Sequence, residues 1–172
     1  ANPEDSMKGS FLGPDEGEKD EILNLLEKED IKYTYIEDEI KLADNISDKL
    51  SNGEIVAICR GQMEYGPRAL GSRSILADAR IADMQERLNL KTKFREGFRP
   101  FAPMILEEEM DKILENPSPS PYMLKTYYLK NEHRIINSNN KEDIMERVKE
   151  KRSPWPAITH LDYSCRVQTI DK

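Results

Sequence analysis

An α/β fold of the α+β type is what this chain predicts, and three observations carry the prediction. Helical and extended hydrophobic patterns alternate through the first 60 residues. Ile, Leu and Val recur in short periodic runs although only 37% of the chain is hydrophobic and 34% is charged. A length of 172 residues is that of about one domain, enough to bury a single core.

Residues 1–17, rich in Pro, Gly and acids, predict a linker or irregular lead-in, and the folded domain is expected over 18–172. Glu18 to Glu29 reads as a helix with Ile22, Leu23, Leu25 and Leu26 as its apolar stripe. Tyr33 to Ile36, aromatic and β-branched, predicts a short strand. Ile40 to Leu50 predicts a second helix, with Ala43, Ile46 and Leu50 on one side and Gly53 just past its end. Glu54 to Cys59 (EIVAIC) is a short apolar run of the kind found in buried strands. Ile75 to Ala77 suggests a strand or its edge, and Ile81 to Leu90 a helix with Ile81, Met84 and Leu88 inward.

Further along, Glu107 to Glu115 reads as a helix whose leading glutamates favour its N-terminus. Asn116 to Pro121 (NPSPSP) is a loop kept extended by proline, and Tyr122 to Lys130 predicts a strand. Asn131 to Asn140 is expected to be a polar turn with His133 exposed. Lys141 to Arg152 is read as a charged surface helix anchored by Ile144 and Val148. Trp155, between Pro154 and Pro156, is expected to pack beneath a loop.

Charge narrows the function. The chain carries net −7, which argues against broad nucleic-acid binding. No apolar run approaches the roughly 18 residues of a membrane span, and no signal-peptide pattern opens the chain. Two cysteines, Cys59 and Cys165, fit a reducing cytoplasm. Against this acidity, the stretch from Arg60 to Pro103 is locally positive. It sets Arg60, Arg68, Arg73, Arg80, Arg87, Lys91, Lys93, Arg95 and Arg99 against Glu64, Asp78, Asp83, Glu86 and Glu96. Such an island suits small anions better than a polyanion, and arginine suits two-pronged contact with phosphate or carboxylate. The alternative is a charged surface with structural ion pairs.

Gly61, Gly66 and Gly71 recur every five residues through this island. Gly61 and Gly66 have P-loop spacing, but Pro67 and Arg68 stand where Lys and Ser/Thr would be needed. Pro67 also lacks the amide a phosphate cradle would use. Downstream, an extended Lys93-Phe94-Arg95 would put both cations on one face, where an anion between them would relieve their repulsion. The other reading splays both into water with Glu96 as partner. His160-Leu161-Asp162 could be a metal or acid/base pair. With no third ligand nearby, a structural hydrogen bond is the simpler reading and no metal site is assigned.

GQMEYGPRALGSRSILAD, then KTKFREGFRPFAP, closely resemble the signature blocks of the NodU/CmcH family of carbamoyltransferases, and HLDYSCRVQTI from His160 to Ile170 resembles a weakened version of its third block. That family includes nodulation proteins and antibiotic O-carbamoyltransferases. Phe11-Leu12-Gly13-Pro14 is similar to the family's usual entry to its C-terminal domain. The resemblance implies a YrdC-like twisted mixed sheet flanked by helices. It implies binding of ATP and carbamoyl phosphate to form carbamoyl-adenylate, with Mg²⁺ accompanying the ATP. A preceding metal-binding transferase domain would then pass the carbamoyl group to the hydroxyl of a small-molecule acceptor.

By the same resemblance, Lys93, Arg95 and Arg166 are the expected catalytic contacts to phosphate or carbamoyl groups. Arg68, Arg73, Arg99 and His160 are the expected substrate- or nucleotide-binding residues, Arg68 and Arg73 at the active-site mouth or an interdomain contact. The family's later Ser-x-Asn element and its N-terminal domain are not found in the sequence, so the resemblance implies a partial domain, expected to be inactive by itself or at best a weak anion binder. A homodimer is compatible with this reading. Tyr163 stands where the family has Gly, so a turn needing positive φ would be strained or rebuilt there, and the role of Arg166 depends on it. The competing class is a non-catalytic anion- or RNA-binding interaction module on the same fold.

Overall fold

The computed structural model describes residues 10–136 and 143–171, without the side chains of Ile144 and Met145. The chain divides into two compact units, one ending at Ala77 and the other beginning at Asp78. The architecture is α+β, as predicted: short helices with two small sheets. No helix among the described residues is long and apolar enough to cross a membrane.

In the first unit, α1 (Lys19–Lys28) opens with Asp20 and Glu21 in its first turn, and Glu21 Oε2 accepts the Glu18 N–H at 3.4 Å. The next helix, α2 (Glu39–Ser51), is capped by Asp38, whose Oδ1 accepts from the N–H groups of Ile40 (2.9 Å) and Lys41 (3.2 Å). It stops where Gly53 takes φ 82 and returns its N–H to Leu50 O at 2.9 Å. The apolar run at 54–59 becomes β1 (Val56–Cys59), paired antiparallel with β2 (Arg73–Leu76) from Val56↔Leu76 to Cys59↔Arg73.

The strand expected at Tyr33–Ile36 does not form; residues 31–38 have no regular structure. A β-prone run becomes a strand only when a neighbouring strand accepts its backbone, and among the described residues none pairs with it. Tyr35 is instead held by Lys19, whose Nζ donates to its hydroxyl at 3.0 Å and lies 4.2 Å from its ring centre.

The second unit is organised by β5 (Ser164–Ile170). It pairs in parallel with β3 (Met104–Leu106) and antiparallel with β4 (Lys125–Tyr128), giving the order β3-β5-β4. This is the mixed sheet anticipated above, while β1–β2 stands as a separate antiparallel pair. Met110, Leu114, Leu129, Cys165 and Val167 form its buried core, with Ile105, Ile113, Tyr127 and Trp155 packed against them. The sheet's edges are braced by a 3-10 turn (Glu107–Glu109) leading into α4 (Met110–Ile113), inside the helix expected at 107–115. The proline loop is tied in at Ser120, whose N–H donates to Thr169 Oγ1 at 2.8 Å.

Three local expectations change. The helix expected at 81–90 is a single α turn, α3 (Met84–Arg87), running into a π-helical stretch from Leu88 to Lys93. The helix expected at 141–152 is α5 (Ile144–Val148); the anchoring role for Ile144, like the turn at 137–140 and the lead-in before Ser10, lies outside the described residues. His133 is not a bare surface residue. Its Nε2 lies 3.0 Å from Lys112 O, and its ring meets Trp155 edge-on at 5.1 Å. Trp155 is the packing anchor it was expected to be.

Candidate functional site

Between β1 and β2 in the first unit, the glycine-punctuated loop is folded around one carboxylate. Glu64 is buried, and its Oε1 accepts the N–H groups of Ser72 (2.6 Å), Leu70 (2.8 Å) and Arg73 (3.4 Å). Burial pushes this carboxyl up, but those three N–H groups outweigh it and hold it below its ordinary value. Gly66 (φ 148) and Gly71 (φ 124) supply the turns on which the loop swings around it. Sequence reasoning counted Glu64 only as a charge offsetting the arginines. Its one detectable signal was being the sole acid within a Gly-Pro-Gly segment.

The two arginines assigned to this loop differ in their surroundings. Arg73 Nη1 donates to Ser72 O (2.9 Å), Arg60 O (3.0 Å) and Gly61 O (3.1 Å), stitching the loop's two ends together. Arg68 is half-buried, and its guanidinium makes no hydrogen bond or ion pair among the described residues.

In the second unit, Lys93 closes the π-helical stretch and Phe94 turns left-handed at φ 50 with its ring in solvent. The segment is therefore not extended, and the one-face alternation expected of Lys93 and Arg95 does not arise. A left-handed residue ends a helical run by redirecting the chain. Arg95 is half-buried and firmly oriented. Its Nε donates to Asn89 Oδ1 at 2.6 Å, its own N–H reaches Asn89 O at 3.0 Å, and its guanidinium lies 4.8 Å from the Phe101 ring centre. Fully buried Asn89 also donates from Nδ2 to Arg99 O (2.8 Å) and Gly97 O (3.1 Å), so one amide fixes the whole turn from 89 to 99. Lys93 is exposed and unpaired among the described residues. Arg99 is exposed and pairs with Glu96 at 3.2 Å.

Elsewhere in this unit, Arg166 sits half-buried on β5, opposite Thr126. In the turn before it Tyr163 adopts φ 66, a left-handed conformation that costs a residue with a side chain more than it costs glycine. His160 and Asp162 form the structural arrangement favoured above. Ser164 Oγ donates to Asp162 Oδ1 at 2.7 Å, Ser164 N–H to the same oxygen at 3.0 Å, and His160 Nδ1 lies 3.3 Å from Ser164 Oγ. Burial first, then the charges of Arg166 and Arg152, push the His160 pKa down against the pull of Asp162. Burial raises the Asp162 carboxyl, but the Ser164 hydrogen bonds prevail and hold it low. Among the described residues no cluster of His, Cys, Asp and Glu could hold a metal ion.

Arg152 was missed. It is 7% exposed and donates to Arg147 O (2.7 Å), Val148 O (3.1 Å) and Thr159 O (3.2 Å), while its buried Nε has no hydrogen-bond partner among the described residues. It borders a cleft of about 350 Å³ whose walls include Gln85, Leu90, Phe98 and Pro156. Only a lone Arg before Ser-Pro marks it in the sequence, which is no signal of burial.

Comparison with known proteins follows the same residues. A family model described as the carbamoyltransferase C-terminus matches residues 47–172, which include every arginine and lysine described in this site. The uncharacterized protein sll1178 of Synechocystis is 42% identical over 170 residues, covering 96% of this chain and 27% of that protein. Nodulation protein NolO of Bradyrhizobium diazoefficiens is 36% identical over 76% of this chain and 21% of its own length. Nodulation protein U of Azorhizobium caulinodans is 45% identical over 70% of this chain and 18% of its own. The chain thus spans about a quarter or less of these relatives. With its Gly-Pro-Arg loop, its Asn89-locked arginine turn and its Tyr163–Arg166 corner all inside the matched region, the chain belongs to the carbamoyltransferase C-terminus family.

Proposed function

We propose that this chain is the part of a larger O-carbamoyltransferase that binds ATP and carbamoyl phosphate and forms carbamoyl-adenylate for transfer to an acceptor hydroxyl. The observation that carries this reading is the family match over residues 47–172, which takes in Arg68, Lys93, Arg95 and Arg166. Supporting it, Lys93 and Arg68 lack acidic partners among the described residues, and Arg95 is pre-oriented by Asn89 and Phe101. Oriented cations stabilise charge as it moves between phosphoryl oxygens without having to reorganise.

The proposed chemistry balances in three steps. Water displaces phosphate from carbamoyl phosphate, leaving carbamate. A carbamate oxygen attacks the α-phosphorus of ATP, and pyrophosphate leaves. The acceptor hydroxyl oxygen then bonds to the carbamoyl carbon, AMP leaves, and the hydroxyl proton is released. Lys93 and Arg95 would neutralise the phosphoryl oxygens, and Arg166 the carbamoyl or α-phosphate oxygen. Mg²⁺ would enter on the nucleotide phosphates, its usual ligands together with water, and no residue here is assigned to it. The remainder of the longer protein would supply the metal-bearing transfer domain and the acceptor site, in a reducing cytoplasm compatible with the free thiols Cys59 and Cys165.

The test is pyrophosphate release by the intact full-length protein supplied with ATP and carbamoyl phosphate. Lys93→Ala and Arg95→Ala should each lower kcat/KM at least about tenfold, the loss of roughly one charge-assisted hydrogen bond. Release unchanged in both variants would remove the roles given to these residues.

A further inference from the structure

Backbone N–H groups converging on one point are what a loop offers to a bound phosphate. In the loop from Gly66 to Arg73 those groups are already occupied: Leu70, Ser72 and Arg73 all donate to Glu64 Oε1. The loop carries its own anion at that point, so those three N–H groups are not available to an incoming phosphate. What remains is side chains. Arg73 is bound to three carbonyls through Nη1. The Glu16 carboxyl is held low first by the N–H of Gly61, with smaller pulls from the charges of Arg73 and Arg60, and Arg60 is exposed to solvent.

Arg68 differs. It follows Pro67, whose ring fixes the preceding backbone angle, and its half-buried guanidinium has no protein partner among the described residues. A Cβ added at Gly66 or Gly71 would meet nothing within 4 Å, so the space beside the loop is open at both of its glycine turns. A partly desolvated cation without a counter-charge is unfavourable unless a ligand supplies one.

We propose that Glu64 is a positioning residue: by filling the nest at Leu70–Arg73 it fixes the loop so that the half-buried Arg68 is presented to a phosphate-bearing ligand. The inference deepens the function proposed above and rests on it for the identity of that ligand, a carbamoyl or nucleotide phosphate. Burying Glu64 is the cost of the loop's shape, and Arg68 is where that shape is used.

The experiment measures inorganic phosphate and pyrophosphate binding to the intact full-length protein by calorimetry. Arg68→Ala should weaken binding about tenfold or more, as for a charge-assisted contact, and Arg68→Lys should restore part of it. Glu64→Ala should weaken binding similarly, and Glu64→Ala combined with Arg68→Ala should be no weaker than Arg68→Ala alone, since both act through one contact. If Glu64→Ala does not fold, Glu64→Gln keeps an acceptor oxygen and should show a smaller loss with the same non-additivity. A purely structural Glu64 would lower thermal stability and leave the Arg68 coupling at zero. Additive losses, an affinity within about twofold of wild type in Arg68→Ala, or no phosphate binding by the wild type would each overturn the proposal. Coupled phosphate binding without any turnover of carbamoyl phosphate would uphold the Glu64–Arg68 pair and remove the carbamoyl-transfer reading instead.

Discussion

Asn89 is a single amide between two leucines, yet it accepts from Arg95 and donates to two carbonyls while wholly out of water. Residues of this kind give the arginines their different standings: Arg95 aimed by an amide and a ring, Arg73 spent on carbonyls, Arg68 unspent. Two predictions belong at this scale. Burial pushes the Cys165 thiol up to about 12, whereas Cys59 is exposed. Titration of the native protein with a disulfide reagent at neutral pH should therefore modify Cys59 promptly and Cys165 only after denaturation, because the thiolate is the reacting form; prompt modification of both would contradict the packing of β5.

The second concerns pH. His160 has a folded pKa below its ordinary 6.5, so above 6.5 it is neutral in both states and contributes no slope. As pH falls below 6.5, the unfolded chain binds the proton first, and stability declines until the folded pKa is reached. Urea midpoints followed downward from neutral pH should show this decline, and His160→Gln should flatten it. Asp162 and Glu64, both held low, contribute stability that is lost only at more acid pH, as it falls through their folded values.

At the scale of elements, β5 decides the second unit. It is the central strand, buried along most of its length, and its neighbours reach it from distant parts of the chain. Leu129, fully buried just past β4, donates its N–H to Tyr163 O at 3.0 Å and packs on the β5 face. Leu129→Ala should cost about 3 kcal/mol in urea denaturation, as for other well-packed leucines. Ile40→Ala on α2, at a side chain 74% exposed, should cost under about 0.5 kcal/mol. Helices α1 and α2 were legible because their caps and stripes are local: Asp38 bonds residues two and three positions on. The strands β3 and β5 were not foreseen, since SCRVQTI has no polar/apolar alternation when both faces are covered.

Across the whole molecule, every buried hydrophobic residue among those described lies between Met84 and Val167. The unit ending at Ala77 has amphipathic helices with no buried side chain and a sheet of two strands, a combination of marginal stability by itself. Amide hydrogen exchange on the 172-residue chain should show α1 and α2 exchanging at least about tenfold faster than β5. Equal protection of α1 and β5 would mean that the first unit has a stability its burial does not account for.

Composition, local periodicity and the three signature blocks were enough, by themselves, to set the α+β class, the first two helices, the strand at 56–59 and the family. Each of those depends on residues within a few positions of one another or on long literal matches. Which arginine is open, what Glu64 and Asn89 hold, and where β5 finds its partners were decided only by tertiary structure. A hydrogen bond from Arg73 back to Arg60, or from Leu129 across to Tyr163, exists because the folded backbone closes that distance, and spacing along the chain carries no trace of it.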